Sequence, residues 1–229
     1  MPETVAIIGA GPLGRWLALA AARAGFRVLL EDVMPGNLQH TRELLRREAG
    51  QRLHSARSMR ASGGKNAGPL TLHPSGQDAS LATAVPLRSA PDDSFVVGVN
   101  ESIAGVVFAS SLEDAVRAAD LAIDCVPDEL ESKLEILLLL DRMAPPRTVL
   151  ATPTTRLSIT DLANCTYRPA KCIAIAAEAG SLTGKAAAGE ILLRTTAKTA
   201  PETVALLEHF WRQLGFAPLV EMERAGYLH

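Results

Sequence analysis

A glycine-rich turn near the N-terminus is the feature that most constrains the fold of this chain. The apolar run Val5–Ile8 leads into Gly-Ala-Gly-Pro-Leu-Gly at residues 9–14, and an alanine-rich segment follows. A buried strand that enters such a turn and leaves it as a helix forms the first half of a βαβ dinucleotide-binding unit. Gly9 permits the tight turn, Gly11 leaves room for a pyrophosphate, and Gly14 lets the helix pack closely on the strand.

An acidic residue follows the second predicted strand, where this unit requires one. The apolar run Val28–Leu30 ends in Glu31 and Asp32. Asp32 is placed to bind both hydroxyls of an adenosine ribose, and its charge disfavours the 2'-phosphate of NADP. The helix N-terminus offers N–H groups and partial positive charge to the phosphates. The pattern therefore predicts NAD, and FAD stays open because flavoproteins use the same glycines and acid. The residues predicted to contact the cofactor here are Gly9, Gly11, Pro12, Leu13, Gly14 and Asp32.

Length and composition favour a single α/β domain in the cytoplasm. The chain has 229 residues, of which 48% are hydrophobic, and its net charge is −2. This charge gives no electrostatic reason to expect nucleic acid or an anionic membrane as a partner. No apolar run approaches the roughly 20 residues of a membrane span, and no signal peptide is recognisable. Cys125, Cys165 and Cys172 lack metal-site spacing, so we expect packed, reduced thiols and no metal, with a reactive Cys125 as the less favoured alternative.

Strands and helices alternate along most of the chain, which predicts a doubly wound, mainly parallel sheet in one domain, 1–229. Residues 58–94 interrupt the alternation, because they are rich in Gly, Ser and Pro and lack periodicity. We interpret them as a long loop insertion, either a lid or a solvated excursion. Short helices begin at Ser111 and Ser158. The predicted strands are 4–8, 27–31, 95–99, 105–108, 121–126, 148–151, 171–176, 191–195 and 217–221, and the longer helices are 12–24, 36–57, 128–143 and 201–214.

The second half of the chain carries motifs of one known family. The segments Ser111–Val116, Ala119–Asp124, Val126–Asp128 and Leu157–Ala163 follow the pattern of the NAD-binding domain of the 3-hydroxyacyl-CoA dehydrogenases. The chain therefore resembles that domain. The resemblance argues against FAD, because flavoproteins do not share this half. It implies a Rossmann fold and hydride transfer between NAD and a 3-hydroxyacyl thioester, a reaction of fatty acid metabolism.

The resemblance assigns roles to further residues. Asp128 stands where the family has a Glu near the cofactor, and Lys133 matches a Lys five positions further on. Val126 and Pro127 precede Asp128 at the same strand end and join the cofactor site. Thr155 stands where the family has a Ser that contacts nicotinamide and substrate. Without the family, Asp128 and Lys133 would be interpreted as an exposed pair on the first turns of a helix.

The general base of the family is missing from this sequence. The family uses a His, oriented by a Glu, in a strand that ends His-Phe-Phe-Asn-Pro, and here Ala176 falls at the His position. General acid–base help is worth roughly 10²–10⁴-fold in rate, so we expect impaired turnover. Glu190 is the candidate orienting Glu, with a surface carboxylate as its alternative. Glu178, the ionisable group nearest position 176, is a candidate base, although an ordinary loop carboxylate is the favoured interpretation. None of the five histidines lies at a predicted strand end.

The family continues past its NAD-binding domain into helices that build the acyl-CoA pocket and the dimer. Here the sequence closes with Ala225–His229. We therefore expect either a fragment or a free-standing nucleotide domain, with a small-molecule substrate such as an acyl-CoA and with a homodimer or a separate helical partner. Two functions follow. One is an NAD-dependent oxidoreductase of the hydroxyacyl-CoA dehydrogenase type with impaired turnover, and the other is a non-catalytic NAD-binding sensor or partner-docking module.

Overall fold

A nine-stranded, mainly parallel sheet forms the centre of the computed structural model. The structure describes residues 2–47, 102–103, 105–177 and 189–223, which belong to one compact unit. The strands are β1 (Thr4–Ile8), β2 (Arg27–Glu31), β3 (Ser102–Ile103), β4 (Val106–Phe108), β5 (Leu121–Asp124), β6 (Val149–Pro153), β7 (Cys172–Ile175), β8 (Glu190–Thr195) and β9 (Ala217–Met222).

Helices connect most of these strands, and several begin where the sequence predicts. Ser111 accepts the backbone N–H of Asp114 at 3.1 Å, and Ser158 accepts that of Asp161 at 3.2 Å, so both serines cap short helices as expected. The helices are α1 (Pro12–Arg23), α2 (described over 35–47), α3 (Leu112–Val116), α4 (Leu130–Met143), α5 (Ile159–Asn164) and α6 (Pro201–Gln213).

The strand order is that of a doubly wound fold. The sheet runs β3-β4-β2-β1-β5-β6-β7-β8-β9, and the six strands from β4 to β7 are parallel. β3 and β8 are antiparallel to β4 and β7, whereas β9 is parallel to β8. The predicted doubly wound sheet is confirmed. Because the strand order reverses between β1 and β5, a ligand crevice is expected at their carboxyl ends.

Two apolar layers cover the two faces of the sheet. In β1, Val5 and Ile7 face a layer that includes α1 and α6, while Ala6 and Ile8 face a layer that includes α3, α4 and α5. Every residue of β1 is buried, as expected for a strand that is covered on both sides. The strand ends are therefore fixed by packing, and the loops that follow them are held in place.

Some predicted boundaries differ from the structure. β5 ends at Asp124 and α4 begins at Leu130, so residues 125–129 form a loop at the carboxyl edge where the sequence suggested more strand and helix. The insertion at 58–94, the predicted strand 95–99 and the end of the predicted helix 36–57 lie outside the described residues. The single-domain assignment of 1–229 stays a prediction. Within the described ranges, no helix is long and apolar enough to cross a bilayer.

Candidate functional site

The turn between β1 and α1 contains three glycines with different structural requirements. Gly9 has φ +110°, and a Cβ there would lie 2.9 Å from the backbone carbonyl of Cys125. A Cβ on Gly14 would collide with the carbonyl oxygen of Gly9. Gly11 has an ordinary φ of −65°, and a Cβ there would meet nothing within 4 Å. Neither backbone conformation nor packing within the described protein requires glycine at position 11, and its missing side chain leaves the space before α1 open.

A cleft of about 720 Å³ opens at this edge of the sheet. It extends from the β1–α1 turn past the end of β2 on one side and past the ends of β5 and β6 on the other. Most of the residues predicted for the site therefore come together. The predicted residues that line the cleft are Gly9, Gly11, Pro12, Leu13, Asp32, Val126, Pro127, Asp128 and Thr155. Gly14 lies behind it in α1, and neither Lys133 nor Glu190 is part of its lining.

Asp32 ties the glycine turn to the start of α2. Its Oδ2 accepts the N–H of Ala10 at 2.7 Å, and its Oδ1 accepts the N–H of Met34 at 2.8 Å. The Nδ2 of Asn37 lies 3.2 Å from both oxygens. Asp32 is only 9% exposed but lines the cleft. The sequence interpretation missed Asn37, although an amide in the first turns of the helix after the acid was a usable signal.

Glu31 is a second acid beside Asp32, and it lies within the protein. The side chain is 6% exposed, and its Oε2 has no hydrogen-bond partner within the described part of the chain. Burial, together with the charge of Asp32, raises the pKa of Glu31 to about 7. Glu31 therefore changes its charge near neutral pH.

Asp128 joins the end of β5 to the end of β6. Its Oδ2 accepts the backbone N–H of Thr155 at 3.2 Å, and its carbonyl oxygen accepts a hydrogen bond from Nη2 of Arg156 at 3.0 Å. The Nε of Arg156 lies 3.9 Å from the same Oδ2. Thr155, Arg156 and Asp128 all line the cleft. Arg156 was missed from the sequence because no family role points to it, although it directly follows Thr155.

Lys133 lies inside the protein, paired with Asp124. Its Nζ donates to Oδ1 of Asp124 at 2.7 Å, and both side chains are essentially inaccessible to solvent. The alternative interpretation of Lys133 as an exposed charge is wrong, because α4 packs this face on the sheet. Burial raises the pKa of Asp124, while Lys133 opposes that effect. An acid within an otherwise apolar strand was the signal for this pair.

Ala176, where we expect the family to have its base, lies just beyond β7. The N–H of Ala176 donates to the carbonyl of Leu192 at 2.8 Å, which extends the antiparallel pairing of β7 with β8. Because side chains alternate along a strand, exposed Glu190 shares a face with Leu192 and is a diagonal neighbour of Ala176. Ala177, but not Ala176, lines the cleft. The orienting role of Glu190 stays a prediction, and Glu178 lies outside the described residues.

The cysteines only partly match the expectation of packed thiols. Cys172 is buried, Cys125 is half-buried at the cleft, and Cys165 is exposed, which corrects the prediction for that residue. Burial raises the pKa of the Cys125 thiol, so the thiol stays protonated and the reactive alternative is disfavoured. Within the described ranges, no three His, Cys, Asp or Glu side chains are grouped to hold a metal ion.

Comparison with known sequences identifies the family. The family profile described as "3-hydroxyacyl-CoA dehydrogenase, NAD binding domain" matches residues 4–85 and 93–178. The chain belongs to the 3-hydroxyacyl-CoA dehydrogenase family. The resemblance noted from the sequence is thereby confirmed, and NAD is the cofactor of this domain.

Individual members of the family show how far the likeness extends. A probable 3-hydroxybutyryl-CoA dehydrogenase of Bacillus subtilis (strain 168) is 29% identical over 172 residues, which cover 75% of this chain and 47% of that protein. The 5-formyl-3-hydroxy-2-methylpyridine 4-carboxylate 5-dehydrogenase of Mesorhizobium japonicum (strain LMG 29417 / CECT 9101 / MAFF 303099) is 25% identical over 232 residues, covering 96% of this chain and 57% of that protein. The chain spans about half the length of the curated relatives it matches.

A solved structure of the family has the same fold. The structure of (S)-3-hydroxybutyryl-CoA dehydrogenase PaaH1 from Ralstonia eutropha aligns with a TM-score of 0.69 at 20% identity, covering 99% of this chain and 65% of that one. At this level of identity the likeness concerns the fold alone.

The residues of the cleft fit NAD. The open space at Gly11 lies at the N-terminus of α1, where N–H groups and the helix dipole favour a pyrophosphate. Asp32 lies at the end of β2, where a carboxylate binds an unphosphorylated ribose. Both requirements of a dinucleotide are therefore present at one end of the cleft.

Proposed function

We propose that this chain binds NAD(H) in the cleft and takes part in the hydride-transfer reaction of its family, with turnover impaired by Ala176. The observation that carries the proposal is the open space at Gly11, which no contact with the described residues and no backbone angle explains. A pyrophosphate at the N-terminus of α1 accounts for that glycine.

We propose the following binding roles, which the contacts already described support. The turn at residues 9–14 and the first N–H groups of α1 hold the pyrophosphate. Asp32 binds the adenosine ribose, and Val126 and Pro127 form the opposite wall. Asp128 holds the backbone of Thr155, so that the threonine hydroxyl stays at the cleft. When bound, NAD supplies the hydride acceptor for oxidation of a hydroxyl carbon.

Lys133 supports the wall formed by Val126 and Pro127 from inside the protein and does not line the cleft itself. Its ion pair with Asp124 lies directly before Cys125 and Val126, which line the cleft. A charge pair that is inaccessible to solvent is held in one geometry by its own attraction and by the surrounding apolar layer. We therefore assign Lys133 a positioning role for this wall.

Proton transfer is the step that the described residues do not support. Thr155 can donate a hydrogen bond to a substrate oxygen, but its hydroxyl is not an effective proton acceptor near neutral pH. We propose Glu190 as the group that would orient a side chain at position 176, and alanine has none that can be oriented. Slow turnover follows from this substitution.

The substrate we propose is a small molecule with a secondary hydroxyl, a 3-hydroxyacyl thioester first. The relatives reported above include an enzyme named for a CoA thioester and one named for a pyridine carboxylate. We also propose a cytoplasmic location, a place in fatty acid metabolism, and association as a homodimer or with a separate helical partner.

The experiment that tests NAD(H) binding is a calorimetric titration with NADH and, separately, NADPH. We expect one NADH per chain and weaker NADPH binding, with the preference reduced in Asp32→Asn because the ribose carboxylate loses its charge. Asp161→Asn is the control, because it changes an acid in the first turn of α5, away from the cleft. Failure of the unmodified chain to bind NADH at millimolar concentration would refute the proposal.

A non-catalytic NAD-binding module is the second candidate, and Ala176 is the observation that favours it. This candidate predicts NADH binding without NADH oxidation over a panel of keto acids and acetoacetyl thioesters. Slow but measurable oxidation of NADH with acetoacetyl-CoA would exclude it and support the oxidoreductase.

A further inference from the structure

We propose that Arg156 binds the carboxylate of a short-chain keto or hydroxy acid, so that the cleft accepts a free acid in addition to the thioester proposed above. The inference rests on the proposed NAD(H) binding and names the class of substrate that the same cleft accepts. Arg156 is the only cationic side chain among the described residues that line the cleft.

The location of Arg156 separates it from the cofactor phosphates. Asp32 and the N-terminus of α1 define the part of the cleft that receives adenosine and pyrophosphate. Arg156 lies beyond the end of β6, next to Thr155, on the other side of the strand-order reversal. This side is left for the nicotinamide and the substrate.

One hydrogen bond holds the guanidinium of Arg156 in place and leaves its other donors available. One N–H of Nη2 donates to the carbonyl of Asp128 at 3.0 Å, which fixes the arm of the side chain. The Asp128 carboxylate is 3.9 Å from Nε, which is too long for a hydrogen bond. The side chain is 73% exposed, so its remaining donors are accessible. A guanidinium presents five N–H donors in a planar fork that matches a carboxylate.

The charges near Arg156 favour a monoanion over a dianion. The nearby Asp128 carboxylate repels a doubly charged phosphate more strongly than a singly charged carboxylate. A substrate with a single negative charge close to its hydroxyl carbon is therefore the best electrostatic complement, whereas a thioester is neutral at that place.

A binding experiment tests the inference without requiring turnover. The chain is saturated with NADH, and acetoacetate is titrated into it by calorimetry against sodium chloride of equal ionic strength. The same titration is run on Arg156→Gln, Arg156→Lys and Arg147→Gln. Arg147 is a matched control, because its Nε bonds Asp120 at 3.2 Å and its Nη2 bonds the carbonyl of Ala118 at 3.4 Å, at the opposite edge of the sheet.

We expect acetoacetate affinity to fall about 10- to 100-fold in Arg156→Gln, because the variant loses a hydrogen bond between two charged groups. Arg156→Lys should lose part of the affinity, because an ammonium keeps the charge but not the fork. NADH affinity in Arg156→Gln and acetoacetate affinity in Arg147→Gln should stay within about twofold of the unmodified chain, since neither change removes a contact to that ligand.

Several results would overturn the inference and identify its replacement. Absence of acetoacetate binding to the NADH-loaded chain, or equal binding by Arg156→Gln, rules out a carboxylate on Arg156. Loss of acetoacetyl-CoA binding in Arg156→Gln, without acetoacetate binding in the unmodified chain, assigns Arg156 to a CoA phosphate. Loss of NADH binding in Arg156→Gln assigns it to the cofactor. If the unmodified chain does not bind NADH, the proposed function fails and this inference fails with it.

Discussion

The two halves of the cleft differ in how much of their chemistry is present. The half formed by β1, β2 and α1 has the glycine turn, the open space at Gly11 and the carboxylate of Asp32. The half formed by β5, β6 and β7 has Thr155, Arg156 and Asp128, and Ala176, where we expect the family to have its base, follows β7 outside the lining of the cleft. We therefore expect binding of the cofactor and transfer of a proton to be separable in this fold.

The reason for this difference lies in what each task requires. Pyrophosphate binding uses backbone N–H groups and the absence of a side chain, which the strand–turn–helix geometry itself supplies. Proton transfer requires one ionisable side chain in one place, so a single substitution removes it while the sheet stays intact. In this chain β7 is a buried strand up to Ile175, one residue before Ala176.

The largest loss of stability is expected at Gly14, where the glycine turn of the cofactor half packs against α1. Gly14→Ala places a Cβ against the carbonyl oxygen of Gly9, so α1 must move away from β1. We expect the free energy of unfolding to fall by about 5 kcal/mol or more, at the upper end of single substitutions. Urea denaturation measures it, and an unfolding midpoint close to that of the unmodified chain would show that α1 is not packed as described.

The next largest loss of stability is expected at the buried ion pair of Lys133 and Asp124, which lies beneath the substrate half of the cleft. Lys133→Met leaves the Asp124 carboxylate buried without its cationic partner, and we expect a loss of about 3–5 kcal/mol in unfolding free energy. The double variant Lys133→Met with Asp124→Leu should recover much of this loss, because no charge is then buried. A double variant no more stable than the single one would mean that the pair is not isolated from water.

The cofactor half can be tested alone at Gly11. Gly11→Ala introduces a methyl group into the open space, so we expect NADH affinity to fall about 100-fold, or about 2.7 kcal/mol. The free energy of unfolding should change by less than about 0.5 kcal/mol, because no protein atom is contacted. Together with Gly14→Ala, this variant distinguishes a glycine needed by the ligand from one needed by the fold. Unchanged NADH affinity would remove the main support for the cofactor site.

The smallest effect on stability is expected from Glu31, the buried acid at the end of β2 in the cofactor half. Glu31 has a pKa of about 7 in the folded chain against an ordinary value of 4.5, so the folded state favours its protonated form. Its contribution is fully present below pH 4.5 and is lost as the pH rises through about 7. At pH 8, Glu31→Gln should be more stable than the unmodified chain by about 1–3 kcal/mol.

The check on Glu31 is the pH dependence rather than one value. The difference in unfolding free energy between the variant and the unmodified chain should grow between pH 4.5 and pH 7 and then level off. A difference that is constant across this range would mean that Glu31 titrates alike in the folded and unfolded states.

The sequence predicted most of the fold because the buried strands carry their own pattern. β1, β2, β6 and β7 lie close to their predicted bounds, and the parallel order follows from alternation with helices. The loop at residues 125–129 was not predicted, since Val126 looks like a strand residue when only its own apolarity is read. Its place at the cleft depends on the hydrogen bonds that Asp128 makes with a segment distant in sequence.

The site could be predicted where backbone geometry determines it and not where side-chain contacts do. The glycine turn and Asp32 followed from spacing alone. Asn37 and Arg156 were missed because their roles depend on Asp32 and Asp128, which only the folded chain brings to them. Lys133 was expected near the cofactor, and its burial against Asp124 depends on how α4 packs on β5.

A crystal structure of the unmodified chain grown with NADH would test the central claim most directly. We predict density for the pyrophosphate over Gly11, for the adenosine ribose at Asp32, and for the nicotinamide on the side of Thr155, with no proton-accepting side chain at position 176. A cleft without NADH density at saturating concentration, or NADH with its adenosine on the Thr155 side, would contradict the account.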